Sequence, residues 1–271
     1  MKKSNTKPET NVARTKTEPE TSDRLSAIEK SLLVLEAIVD HPQPVNLPEL
    51  TLRLGLPRQT IHRLLQQLVE NGLVIRDASR DRYAIGPRLS HLAFATLRSR
   101  NQSAPVRAIL SALVDETKET CNVGVLDGSD FVYVERIECA WSLRVHLEAG
   151  SRVRAHSTSG GKVMLAYMEP QMRHALLTAH KLEAFTPNTI TSAAKLEKEL
   201  EQVRKNGYAL NDKEQNIGIV GIAVPILDVD GRALAALALH GPEPRLTAST
   251  ALKYVPAMKT AAKRLAEVWT R

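Results

Sequence analysis

Hydrophobic positions in residues 47–86 follow a helical period twice and then a strand period. Leu47 to Leu54 opens behind Asn46, whose side chain can accept from a free N–H while Glu49 reaches back, a capping box. Gly55 suits the left-handed position that ends such a helix, and Pro57 suits the first turn of the next. There Ile61, Leu64, Leu65 and Leu68 recur at helical spacing, which predicts one buried stripe. The opposite face carries Arg58, Gln59, Thr60, His62, Arg63 and Gln66. Residues 73–76 and 82–85 then read as two strands around a polar turn at 77–81. The order is that of a winged helix-turn-helix, and the polar face fits a DNA major groove: Arg pairs with guanine, Gln with adenine, and Thr with a thymine methyl or a phosphate. Arg82, on the second strand, is a candidate backbone or minor-groove contact. The competing reading is a helical hairpin with an ordinary solvated face.

Upstream, Ser26 and Glu29 form a second capping box before a helix to about Asp40, with Ile28, Leu32, Leu35 and Val39 as its expected buried stripe. Residues 1–22 have almost nothing to bury and read as a disordered tail, so the DNA-binding domain spans 23–87. A linker helix follows over 88–102, with Leu89, Leu92, Ala93 and Thr96 along one side. That stripe fits packing on a partner subunit or on the second domain of the same chain. From 103 to 271 the pattern is mixed. Helices are expected from Ser103, Gly161, Glu169, Ser192 and Ala248, the last running unbroken to Trp269. Strands are expected at 122–126, 131–137, 142–147, 208–211, 220–227 and 233–239. Hairpins interrupted by helices point to an α+β fold with an antiparallel sheet.

Composition narrows the function classes. A length of 271 residues and 43% hydrophobic content allow roughly two domains with real cores. The net charge of +7 is spread thinly, with 9 basic and 7 acidic side chains in residues 24–88. DNA affinity would therefore depend on local placement rather than bulk charge. Cys121 and Cys139 are the two cysteines, with no metal-ligand spacing, so a reduced compartment is expected. No apolar run is long enough for a membrane span, and no h-region follows the N-terminal lysines, so a soluble, cytoplasmic protein is expected.

Enzyme chemistry finds little support. Ser157-Thr158-Ser159-Gly160-Gly161-Lys162 resembles a phosphate loop, but Val163 stands where Ser or Thr is needed and no glycine stands five residues before Gly161. His156, Asp212 and nearby serines lack a nucleophile elbow, and no cofactor is implied. The glycine turn has two readings: a helix N-terminus suited to a carboxylate, or glycines that permit close helix–sheet packing. Arg144 and His146, then Arg152, Arg154 and His156, alternate in a way that fits a solvated sheet face or a rim. Phe131, Tyr133 and Trp141 are read as core.

Four segments in order give the chain a resemblance to IclR-type transcriptional regulators: LGLPRQTIHRLLQQLVENGLV, YAIGPRLSHLA, STSGGKVMLA and NGYALNDKEQNIGIVGIAVPILDVDGRALAALALHGP. The resemblance implies a winged helix-turn-helix joined by a helix to a GAF-like effector-binding domain, a homodimer or tetramer acting on double-stranded operator DNA. It also implies a small organic acid as effector, bound at Ser159, Gly160 and Gly161 and at positions matching Asp212, Glu214, Gly221, Ala238 and His240. Relatives that bind small oxo acids tend to carry Cys or Ser where this chain has Gly221, Ala238 and His240. The exchange implies a roomier, more apolar pocket with one imidazole, favouring a bulkier ligand such as an aromatic acid. A DNA-binding protein that needs no ligand remains the alternative.

Overall fold

A computed structural model describes residues 25–269 except 42, 78, 79, 98, 99 and 146, without the side chains of residues 94, 97 and 100–103. The expected disordered tail, His146 and part of the 77–81 turn lie outside the described residues. The chain divides into two compact units at Leu89 and Ser90.

In the first unit α1 (Ala27–Val39), α2 (Leu47–Leu54) and α3 (Arg58–Glu70) precede a hairpin of β1 (Val74–Asp77) and β2 (Arg82–Ile85). Both capping boxes form: Asn46 Oδ1 accepts from the Glu49 amide at 2.9 Å, and the Asn46 amide donates to Glu49 at 3.0 Å. Gly55 closes α2 at φ +63°, where a Cβ would be strained. Ile61, Leu64, Leu65 and Leu68 are buried with Val34, Ile38, Leu50, Val74 and Tyr83. The expected stripe of α1 is corrected. Val34, Ala37 and Ile38 are its buried residues, whereas Ile28, Leu32 and Val39 are 74%, 51% and 58% exposed. Apolar residues lie on more than one side of this helix, and the core takes the side nearest α2 and α3.

α4 (Pro87–Leu97) leads into α5 (Arg100–Thr117), which begins three residues before the expected cap and holds Pro105 inside it. The second unit continues with β3 (Thr120–Asp127), β4 (Asp130–Ile137), β5 (Arg152–Arg154), α6 (Ser159–Tyr167), α7 (Pro170–Ala179) and α8 (Ala193–Asn206). It ends with β6 (Ala209–Asp212), β7 (Ile219–Leu227), β8 (Ala233–Pro242), α9 (Ala248–Lys253) and α10 (Val255–Trp269). The six strands form one antiparallel sheet in the order β5-β4-β3-β8-β7-β6.

Alternation along β7 and β8 sorts side chains by size. Val220, Ile222, Val224, Ile226, Leu237 and Leu239 face the core shared with α5 and α10. Ala223, Ala236 and Ala238 face the core shared with α6 and α8. The small face lets α6 lie close to the sheet, and it is here that the site forms.

Two further expectations are corrected. The described residues of 142–147 form no strand, because side chains take carbonyls a ladder would need: Arg245 bonds Leu143 O, and Arg136 bonds Val145 O. The C-terminal helix breaks at Tyr254, ahead of Pro256, whose missing N–H is tolerated in the first turn of α10. No helix among the described residues is long and apolar enough to cross a membrane.

Candidate functional site

The exposed face of α3 presents Arg58, Gln59, His62, Arg63 and Gln66, with Thr60 half-buried. The buried stripe of Ile61, Leu64, Leu65 and Leu68 fixes which way this face points. None of the six makes a hydrogen bond to another side chain or an ion pair among the described residues, so the face is free to engage an outside partner. Arg82 is placed differently. It donates to Pro44 O at 2.5 Å and stands 3.5 Å from Glu49, which ties the second wing strand to α2. Arg76 is likewise held by Asp81 at 2.7 Å. Exposed Arg80, within the wing turn, is a further cation of this unit.

In the second unit a cavity of about 280 Å³ opens over the small face of the sheet. Ser159 and Gly160 of α6, Gly221 of β7, and Ala238 and His240 of β8 border it, so five of the eight expected positions come together. Its apolar wall is Phe131, Tyr133, Val145, Leu147 and Val153; Asn211, Gln215 and Asn216 add amides. Phe131 and Tyr133 stack edge to face at 5.4 Å and are buried, so they serve as core and as cavity wall together. Trp141 is no core residue: it is 50% exposed, with the Arg245 guanidinium 5.2 Å from its ring.

Each glycine near the cavity has its own reason. A Cβ on Gly160 would come within 2.5 Å of the Phe131 ring, and one on Gly161 within 2.2 Å of Ala155 O. Gly161 does not border the cavity; it serves close packing. A Cβ on Gly221 would meet Ser159 Oγ at 3.2 Å, a tight contact to which the hydroxyl would have to yield. The first turn of α6 is capped by Thr158, which accepts from the Gly161 amide at 3.2 Å. The Ser159 and Gly160 amides have no carbonyl to reach within the helix, and both residues border the cavity.

His240 is held from two sides. Asn122 Nδ2 lies 3.2 Å from Nδ1, and Arg136 Nη1 lies 3.3 Å from Nε2. A guanidinium only donates, so Nε2 accepts and the ring proton sits on Nδ1. The Asn122 amide then turns its oxygen to Nδ1–H, which also gives that buried oxygen the partner it otherwise lacks. Both ring nitrogens are thereby engaged by residues that do not themselves border the cavity. Burial, and then the neighbouring guanidinium, push its pKa down to about 3, so it is neutral.

Asp212 and Glu214 are not brought to the cavity. Asp212 is exposed and 3.4 Å from Lys213. Glu214 is buried 2.6 Å from the Lys162 ammonium, whose other partner is Glu199 at 3.3 Å. Burial raises the Glu214 pKa against the lowering pull of Lys162. The loop between them and β7 is pinned by Thr189 Oγ1 to Glu214 O at 2.6 Å and Thr186 Oγ1 to Lys213 O at 2.7 Å. It delivers Gln215 and Asn216 to the cavity, and Gln215 accepts from Ser157. His156 is buried, with Nε2 2.9 Å from Glu183 O, and forms no triad. Arg152 and Arg154 are paired with Asp127 and Asp130 at the surface.

Comparison with known proteins gives two family matches: the bacterial transcriptional regulator IclR C-terminal model over residues 94–267 and the IclR helix-turn-helix domain over residues 27–78. The chain is 35% identical to the probable transcriptional regulator SauR of Cupriavidus necator, covering 90% of this chain and 97% of SauR. Among solved structures it is similar to the Thermotoga maritima IclR, with a TM-score of 0.59, 29% identity, and 89% and 97% of the two chains covered. It is also similar to the inducer-binding domain of a PobR double mutant from Acinetobacter in complex with 3-hydroxybenzoic acid. There the TM-score is 0.55 and the identity 29%, covering 59% of this chain and 94% of that one.

Proposed function

The chain belongs to the IclR family of DNA-binding transcriptional regulators, and from that premise we propose that a small carboxylic acid with an apolar, ring-sized body controls its hold on operator DNA. The observation that carries this reading is the cavity: apolar on its walls, with the first turn of α6 opening into it. The amides of Ser159 and Gly160, the Ser159 hydroxyl and the positive end of the helix suit a carboxylate. The walls of Phe131, Tyr133, Val145, Leu147 and Val153 suit an aromatic ring. Because both His240 nitrogens are engaged by Asn122 and Arg136, and the Gly221 and Ala238 side chains carry no donor, a small oxo acid would find few side-chain partners on these strands. The PobR domain's complex with 3-hydroxybenzoic acid supports the same ligand class.

In this reading residues 23–87 read DNA, 88–102 link, and 103–271 sense the ligand, in the cytoplasm where the operator lies. The exposed Ile28, Leu32 and Val39 of α1, with Leu92 of α4, favour self-association, and a twofold pair sets two α3 helices on two half-sites. A monomer by sedimentation at micromolar concentration would remove that pairing.

A thermal-shift panel of carboxylates tests the ligand. Benzoate-type acids at a hundred times their dissociation constant are expected to stabilise the fold by roughly 2.7 kcal/mol. A response to glyoxylate or pyruvate and to no larger acid would overturn the class, and silence across the panel would leave a ligand-independent DNA binder. On the promoter beside its own gene, Arg63→Ala and Gln59→Ala are each expected to cost about 1–3 kcal/mol of operator binding if they read bases. Equal weakening on random DNA, measured by gel shift, would make them phosphate contacts. Arg82→Ala is expected to loosen the wing through Pro44 and Glu49 rather than to remove a free cation.

A further inference from the structure

Among the described residues no charged side chain borders the cavity. Lys162, on α6, is already neutralised by Glu214 and Glu199, and Arg152 and Arg154 are spent on surface aspartates. Another cation, more loosely paired, lies close behind the wall. Arg136 of β4 stands opposite Asn122 of β3 in the ladder, and its side chain is 4% exposed. One of its terminal nitrogens meets His240 and the other donates to the carbonyl of Val145, both cavity-bordering residues on unrelated segments. Its Nε has no hydrogen-bond partner among the described residues; the nearest carboxylate, Glu138, is 3.6 Å away. The guanidinium is thus buried, incompletely partnered, and one side chain from the space a ligand would fill.

We propose that Arg136 is a specificity-determining residue that makes the cavity take an anion in preference to its neutral analogue, acting through His240 and the Val145 backbone rather than by touching the ligand. This rests on the carboxylate reading of the cavity. The physical basis is the weak screening inside protein: a unit charge about 8 Å away, at an effective dielectric near 20, favours an anion roughly thirtyfold, and the opposing charge of Glu138 brings that down to about tenfold. Water in the same position would hold that preference close to nothing. The charge also holds two parts of the wall in place, so its effect on charge preference must be separated from its effect on shape.

Calorimetric titration of the full chain with 3-hydroxybenzoate and 3-hydroxybenzamide separates them. Wild type is expected to prefer the acid. Arg136→Met is expected to lower that preference about tenfold, while Arg136→Lys, which keeps the charge, retains it within about threefold. Glu138→Gln leaves Arg136 in place and removes a carboxylate 3.6 Å from it and 2.7 Å from Arg144, so it is expected to raise the preference, and to do so in an Arg144→Gln background as well as in wild type, a direction that damage to the fold would not produce. Glu138→Gln, with and without Arg144→Gln, carries the test if Arg136→Met does not fold. Equal loss of acid and amide in Arg136→Met, or an unchanged preference in Glu138→Gln, overturns the inference while leaving the carboxylate reading intact. A wild type that binds the amide as tightly as the acid overturns the inference, and a thermal-shift panel silent to every acid overturns the reading with it.

Discussion

Methionine in place of Lys162 is expected to lower folding stability by about 3–5 kcal/mol at pH 7.5, because it strands a buried carboxylate. Lys162 and Glu214 are 1% and 8% exposed and 2.6 Å apart, whereas Glu199 is 38% exposed and its loss would be absorbed by water. The Lys162→Met, Glu214→Leu double variant is expected to recover much of the deficit, since it removes both charges and leaves apolar contacts. The deficit of the single variant should also shrink as pH falls. Burial already raises the Glu214 pKa, and without Lys162 nothing equivalent opposes it. The folded variant then takes up a proton at a pH where the unfolded chain, titrating near 4.3, does not. Urea melts at pH 8 and pH 5.5 check both points. A single-variant cost below about 1 kcal/mol, or a cost independent of pH, would mean that the pair contributes little. The consequence reaches the cavity, because Glu214 adjoins Gln215 and Asn216 on the loop that borders it.

The same ion pair shows where the sequence stopped being readable. Family likeness carried Glu214 into the pocket by its place in the chain, but its carboxylate turns to a lysine 52 residues away, a partner that no local pattern reveals. Local chemistry was legible. The capping boxes at Ser26 and Asn46, the left-handed Gly55 and the stripe of α3 depend on neighbours within one turn, and the structure holds them. The stripe of α1 was not legible, because Leu32, Leu33, Val34, Leu35, Ala37, Ile38 and Val39 satisfy a helical period on more than one side. Residues 142–147 alternate like a strand, yet arginines from elsewhere occupy their carbonyls. Asn122 and Arg136 were missed for a related reason: a polar residue on a buried strand signals only that some partner exists. One signal was available and unread. Along β7 and β8 the inward positions alternate large with Gly or Ala, and that alternation in size marks the face where α6 and the cavity fit.

Acid is expected to destabilise the protein through His240, and removing that imidazole should flatten the decline. His240 is held neutral by burial and by Arg136, with its pKa pushed down to about 3, while in the unfolded chain it titrates near 6.5. Stability from this group is therefore complete above about pH 6.5. It is lost as pH falls from there towards about 3, because only the unfolded state gains the proton. The limiting slope is about 1.4 kcal/mol per pH unit, so up to about 2 kcal/mol is gone by pH 5. His156, also depressed by burial, adds a decline of the same sign that persists in a His240 variant. The difference between wild type and His240→Gln isolates His240, since glutamine keeps an acceptor for Arg136 but takes up no proton. Urea melts of both at pH 7.5 and pH 5 should show wild type losing more, and parallel declines would rule the imidazole out as the source. The proton cannot simply be accommodated in the folded state. An imidazolium has no lone pair for Arg136, so protonation would set two cations 3.3 Å apart behind the cavity wall.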